Sequence, residues 1–354
     1  MQEPKYYRRR NVEPTRASFT DWLSNLSIVQ ILCAVVLLTA IRLISVRLLT
    51  KAGKPPSKGL SRSAVEIADS LIYAFAIAFL LIKPLVAQPF YVPTGSMEPT
   101  LRGDNKGTDR VWVDKINYRF HSPKHGDVVV FIPPARATAG ENLDSAGPVH
   151  FIKRMIATGG DKIEVTAGEV TIKGAIYTHR EIREGLLRKG IFGKDDVPDQ
   201  SEFMAVDHVK FVPNGVLANG KLVTKEQLAQ IYAGSPAADV QVKPGYVSLN
   251  GKKLNEPYTA EDPDYDLKLV DGKPLKYDHG SGGYRYDGVP IDDLEARALA
   301  SKPAEVVPKG EYFMMGDNRN DSLDSTEWGA LPAKRVVGKA DAIFWPIDRV
   351  NWSL

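Results

Sequence analysis

The chain has 354 residues, with 46 Lys and Arg against 43 Asp and Glu, and its net charge of +3 excludes the basic footprint of a nucleic-acid-binding protein. Its single cysteine, Cys33, excludes an intrachain disulfide, so an exported domain would rely on its core. No zinc-ligand spacing and no phosphate loop occur, and neither metal nor cofactor is expected.

Residues 1–26 form a polar basic tail carrying Lys5, Arg8, Arg9, Arg10 and Arg16. The apolar run at 27–49 reads as a first transmembrane or interfacial helix. Its uninterrupted part ends at Ile41, and a spanning helix would let Arg42 and Arg47 snorkel to the polar boundary. A cleavable secretory signal is the alternative, and the long polar tail ahead of the run argues against it. The segment 50–66 sets Lys51, Lys54, Lys58 and Arg62 among Gly, Pro and Ser and reads as a basic cytoplasmic loop. Residues 67–87 supply the ~20 apolar residues a bilayer demands and read as a second transmembrane helix. Tail and loop both favour the cytoplasmic side and cannot share it if two helices span, so the side of the N-terminus stays open.

Directly after the second run stands Phe90-Tyr-Val-Pro-Thr94-Gly-Ser96-Met97-Glu-Pro-Thr-Leu101, a turn-like string that places a candidate nucleophile beside a membrane. Strand signals, rich in β-branched and aromatic residues, follow at 110–114, 127–132, 150–156, 162–165, 311–315 and 336–345. Short helical patterns fall only in the middle, at 224–233 and 291–300. The fold is expected to be mostly β, with a catalytic core at 88–165 and 305–354 and an inserted α+β cap lobe at 166–304. That lobe is rich in Gly, Pro and charge and offers no evident chemistry.

A serine hydroxyl is a poor nucleophile near neutral pH until a base takes its proton, and histidine is the usual base. Of the six histidines, His121 and His125 lie in a polar stretch, and His179, His208 and His279 lack the spacing of an orienting Asp or Asn. His150 would face away from Lys153 on a strand. Lys153 is the better base, because Phe151, Ile152, Met155 and Ile156 make its context apolar and burial lowers a lysine pKa. An unshifted lysine would spend about 4–5 kcal/mol to present a neutral amine at pH 7.

A later segment, Val149-His-Phe-Ile-Lys153-Arg154-Met-Ile-Ala-Thr-Gly159-Gly160-Asp161, precedes a third, Gly316-Asp317-Asn318-Arg319-Asn-Asp-Ser322-Leu-Asp324-Ser325-Thr-Glu-Trp328-Gly329. Together with Phe90 to Leu101, and in this order, they resemble type I signal peptidase, the bacterial leader peptidase family with a Ser-Lys dyad. The likeness covers most of 88–346, including Gly126-Asp127-Val-Val-Val-Phe131, Leu249-Asn250-Gly251 and Phe344-Trp-Pro346.

The resemblance implies a membrane-anchored, β-barrel-like catalytic core with the cap lobe inserted, behind one or two transmembrane helices. It implies a serine endopeptidase that removes signal peptides, with Ser96 as nucleophile and Lys153 as general base. The oxyanion would be held by the Ser96 N–H and the Thr94 hydroxyl, and Ser322 would hydrogen-bond the lysine. Asp317, Arg319 and Asp324 would brace the turn. The family's arginine two residues beyond Asp324 is Thr326 here, which moves that brace towards Arg319. The family's Leu-Pro-Gly-Asp turn reads Thr158-Gly-Gly-Asp161.

Phe90, Val92, Met97, Leu101 and Ile152 match positions lining pockets for small residues before the cut. Implied partners are exported preproteins, the lipid bilayer and the secretion machinery. The implied location is the bacterial cytoplasmic (inner) membrane, with the catalytic domain on its outer, periplasmic or extracytoplasmic face. A catalytically inactive membrane-anchored binding or assembly protein of this fold would be expected to lack Ser96, Lys153 or Ser322, and all three are present. A self-cleaving repressor with related chemistry would need a DNA-reading lobe and no membrane helix.

Overall fold

The computed structural model describes residues 87–104, 107–138, 149–188 and 208–354, with scattered helical positions between 36 and 73. Apart from those positions and Ala87, the tail 1–26, the loop 50–66 and the two expected membrane helices at 27–49 and 67–87 lie outside the described residues. Within them, Arg42 pairs with Asp69 through an Nη2 to Oδ2 hydrogen bond of 2.9 Å. Among the described residues no helix is long and apolar enough to cross a membrane.

The described chain is mostly β. Seven strands form one antiparallel sheet: β1 (Ala87–Tyr91), β2 (Arg110–Asp114), β3 (Val128–Phe131), β4 (Phe151–Thr158), β5 (Glu311–Met315), β6 (Leu331–Pro332) and β7 (Val336–Trp345). Their order is β1-β2-β7-β3-β4-β5-β6. In β2, Val111 and Val113 point inward while Trp112 is exposed, the alternation of a half-buried strand. One buried cluster joins Val92, Met97 and Leu101 to Val111, Val113, Val128, Val130, Ala340 and Ile343, with Ile152 of β4 at its margin. Strands far apart in the order share it, so the sheet curls around that core.

The signal at 162–165 becomes Ile163–Thr166, which pairs with Tyr246–Leu249 and Tyr265–Val270 in a second seven-stranded sheet. The expected boundary at 165 falls inside this strand. Val165, Val247, Tyr265 and Leu267 pack with Ile156, Ala157, Phe313 and Met315 from the back of β4 and β5. This second sheet is why β4 is buried continuously from Lys153 to Ala157.

The rest of the lobe closes two three-stranded sheets and helices around Ile172, Ile182, Leu186, Phe211 and Leu228. The helical patterns at 224–233 and 291–300 become helices Lys225–Ala233 and Asp293–Ala300. Thr224 and Gln227 form a capping box on the first, and Asp292 caps the second. A third helix, His179–Arg188, was not expected from the sequence. It is charge-rich and interrupted by Gly185, where a Cβ would come within 2.1 Å of the Tyr232 hydroxyl oxygen. A tertiary contact, not helix propensity, requires that glycine.

Candidate active site

The chain leaves β1 at Tyr91 and turns through a 3-10 helix, Gly95–Met97, that carries Ser96. Met97 and Leu101 are fully buried beneath the turn, and the Leu101 N–H donates to the Met97 carbonyl. Gly103 lies so close to Thr94 that a Cβ there would come within 2.5 Å of three of its backbone atoms, so only glycine admits this return of the chain.

Lys153 enters from β4, paired with Val129 of β3, and is 4% exposed. Its Nζ lies 2.6 Å from Ser96 Oγ and donates to the Ile152 carbonyl at 3.0 Å. Burial pushes the lysine down to about 8, against the opposing fields of Asp324, Asp317 and Asp321. The hydrogen-bond partners of Ser96 Oγ are Lys153 Nζ and Thr94 Oγ1, the latter at 3.2 Å, and neither is a histidine. His150 packs edge-on against Phe90, and His208 lies 4.0 Å from Glu98.

The third segment arrives because Met315 of β5 pairs with Arg154 of β4, which delivers Gly316 to the Lys153 end of the strand. A Cβ on Gly316 would come within 2.4 Å of the Ser96 carbonyl oxygen and 2.3 Å of Ser322 Oγ. The Asn318 N–H donates to the Ser96 carbonyl at 3.2 Å, and its side-chain amide donates to the Gly95 carbonyl. Asp317 accepts two hydrogen bonds from Arg154, at 2.8 and 2.6 Å, and a third from Thr100.

Asp324 braces the turn through backbone donors, accepting from the N–H groups of Gly316 and Thr326. Arg319 does not take over as its ion-pair partner: its guanidinium is bidentate to Glu256 of the lobe, at 2.7 and 2.9 Å. The expected bond from Lys153 to Ser322 is not made; among the described residues Ser322 Oγ is buried without a hydrogen-bond partner. The turn at Thr158 closes without proline, because Asp161 accepts from the Thr158 N–H and hydroxyl.

Phe90, Val92 and Ile152 meet across the curl of the sheet and line a cavity of about 20 Å³ with Val111, Val130 and His150. Met97 and Leu101, expected among the pocket residues, do not line it; they belong wholly to the core. A larger concavity of about 370 Å³ opens on the second sheet, lined by Asp266, Lys268 and Tyr277 among others, and includes neither Ser96 nor Lys153.

Sequence reading missed Arg154, Thr100, Asn318 and Glu256 as site-building residues. Arg154 and Asn318 lie inside the motifs, next to residues given roles. Nothing local marks Thr100 or Glu256, whose partners are 217 and 63 residues away. Among the described residues no cluster suited to a metal ion occurs.

A buried amine in contact with a serine hydroxyl, with a second hydroxyl alongside, is an arrangement able to carry out acyl transfer. Comparison with known proteins agrees with a hydrolase of the peptide bond. The model of the signal peptidase family, peptidase S26, matches residues 64–219 and 224–345, and the chain belongs to that family. It is therefore a peptidase.

Among its relatives, the probable signal peptidase I-2 of Synechocystis is 25% identical over 81% of this chain and 76% of its own length. The signal peptidase I of Buchnera aphidicola subsp. Schizaphis graminum is 29% identical over 79% of this chain and 75% of its own. That of Aquifex aeolicus is 27% identical over 77% and 82%.

Proposed function

We propose that this protein is a membrane-bound serine endopeptidase that removes N-terminal signal peptides from exported preproteins, with Ser96 as nucleophile and Lys153 as general base. The observation that carries this reading is the 2.6 Å contact between Lys153 Nζ and Ser96 Oγ at a buried amine lowered to about 8. At pH 7 the neutral amine then costs about 1.4 kcal/mol instead of 4–5. The amine takes the hydroxyl proton as Ser96 attacks the scissile carbonyl, and returns it to the leaving nitrogen. In the second half of the cycle it activates the water that hydrolyses the acyl-enzyme. Thr94 Oγ1 and the Ser96 N–H serve the developing oxyanion. Ser322, whose Oγ is orphaned beside Gly316, supplies an acceptor for the lysine once it carries the extra proton.

Substrate class follows from shape. β1 ends the order of the sheet, and β5 covers β4 from Arg154 to Thr158 but not the residues before Arg154, so an extended peptide can align near Ser96 by main-chain hydrogen bonds. The cavity of about 20 Å³, lined by Ile152 next to Lys153 though not by Ser96 or Lys153 themselves, has room for a group the size of a methyl, which supports small side chains as in an Ala-x-Ala site. The apolar runs at 27–49 and 67–87 support an inner-membrane location with the site on the outer face, where lipid and the secretion machinery are neighbours.

The test is cleavage of a preprotein with an Ala-x-Ala site by the detergent-solubilised full chain. Wild type is expected to cut at that site, and Ser96→Ala and Lys153→Met each to lose roughly a thousandfold or more in kcat. Cleavage that survives both changes would overturn the dyad. Absence of wild-type cleavage on any preprotein would favour the binding-protein reading.

A further inference from the structure

Behind the dyad, two arginines of the catalytic core converge on one short stretch of the lobe. Arg154 follows Lys153 on β4, and its guanidinium lies 4.0 Å from the centre of the Tyr258 ring; the Arg319 guanidinium lies 5.9 Å from the same ring. The Tyr258 hydroxyl donates to Glu256 Oε1 at 2.9 Å, and Glu256 closes the bidentate pair with Arg319. The Arg319 side chain is fully buried, and its Nε donates to the carbonyl of Gly316, the glycine packed on the Ser96 carbonyl. One residue on, Asn320 donates to Glu261 and to the Asp262 carbonyl, so the same lobe segment grips the loop twice.

We propose that Glu256 and Tyr258 are positioning residues for the peptidase reaction: the lobe clamps Arg319 and Arg154 and thereby holds the 316–322 loop and the Lys153 end of β4 in register with Ser96. The proposal rests on the Ser96–Lys153 reading above. A cation over an aromatic face and a buried bidentate pair both fix direction as well as distance. Glu256 has a second consequence through charge. Lys153 feels the carboxylates of Asp324, Asp317 and Asp321. Arg154 is matched by Asp317 and Arg319 by Glu256. Neutralising Glu256 leaves Arg319 uncompensated in the loop that carries those carboxylates, which makes the potential at Lys153 more positive and disfavours its ammonium.

The experiment compares wild type, Ser96→Ala, Glu256→Gln, Tyr258→Leu and Tyr258→Phe as full chains in detergent, reading kcat and KM against pH together with thermal unfolding. Glu256→Gln is expected to lower kcat about tenfold with KM within about threefold, and to move the acidic limb of the profile down by roughly 0.5–1 pH unit. Tyr258→Leu is expected to lose about tenfold, and Tyr258→Phe, which keeps the ring, to stay within about twofold of wild type.

Wild-type kcat in both Glu256→Gln and Tyr258→Leu would overturn the clamp. So would losses that merely track the folded fraction while the limb stays in place. If Glu256→Gln does not fold, the contrast between the two Tyr258 variants decides. An inactive Ser96→Ala beside unaffected clamp variants would remove this inference and leave the dyad standing, whereas activity in Ser96→Ala would remove both.

Discussion

The face of the catalytic sheet around Ser96 and the seam behind it hold the same kinds of residues in opposite conditions. On the face, Lys153 is buried with Ser96 Oγ and a backbone carbonyl as its only hydrogen-bond partners among the described residues, and burial lowers its affinity for the proton. In the seam, Arg154 and Arg319 are as deeply buried, but each is bidentate to a carboxylate, Asp317 and Glu256. Neighbouring cations on one strand are thus treated differently. The paired one holds structure; the unpaired one is destabilising as an ammonium and useful as an amine.

Breaking the seam should have the largest effect. Asp317→Asn leaves Arg154 buried without its counter-charge and is expected to cost about 3–5 kcal/mol in urea unfolding, with activity falling alongside. On the face, Thr94→Val should leave stability nearly unchanged and lower kcat about a hundredfold at constant KM, with Thr94→Ser keeping most of the activity. Equal losses in both Thr94 variants would shift the oxyanion role away from the hydroxyl. Ser322→Ala should lower kcat by roughly ten- to a hundredfold without a change in melting temperature. A loss under about threefold would mean that its unpartnered hydroxyl serves packing alone.

Lys153→Met sharpens the contrast, since it should be inactive yet more stable than wild type by roughly 1–3 kcal/mol at pH 7. The sign follows from linkage. With a folded value of about 8 and an unfolded value near 10.5, the unfolded chain binds more protons between them. The penalty of burying the lysine is therefore full below pH 8 and is relieved as the pH rises towards 10.5. For the same reason wild-type kcat/KM should climb with pH and level off above about 8. A limb near 10 would mean that Lys153 is solvated in the working enzyme.

Much of the catalytic sheet was legible because its strands are short runs of β-branched and aromatic residues, such as Val128–Phe131 and Val336–Trp345. The lobe was less legible. Its strand Lys221–Thr224 buries a single residue, and helix His179–Arg188 does carry a periodic stripe of His179, Ile182 and Leu186, but one short apolar stripe among so many charges and beside Gly185 is easily passed over. Of the site, Ser96 and Lys153 could be picked as candidates from local strings, a hydroxyl in a turn and a lysine in an apolar context, whereas Thr94 enters only through the resemblance to a family. Met97 and Leu101, expected among the pocket residues, are packed in the core, and an apolar residue beside a nucleophile reads the same from sequence whether it faces substrate or the core.

By itself the sequence determined the membrane-length apolar runs, the β character of the flanks and the candidate nucleophile and base, all properties of side-chain type and short spacing. Only the tertiary structure decided that Asp324 is satisfied by backbone donors, that Arg319 turns to Glu256, and that Ser322 Oγ has no hydrogen-bond partner among the described residues. Those outcomes depend on which groups are brought together once water is excluded. Partner choice among buried polar groups is fixed by geometry across distant segments, and no local spacing encodes it.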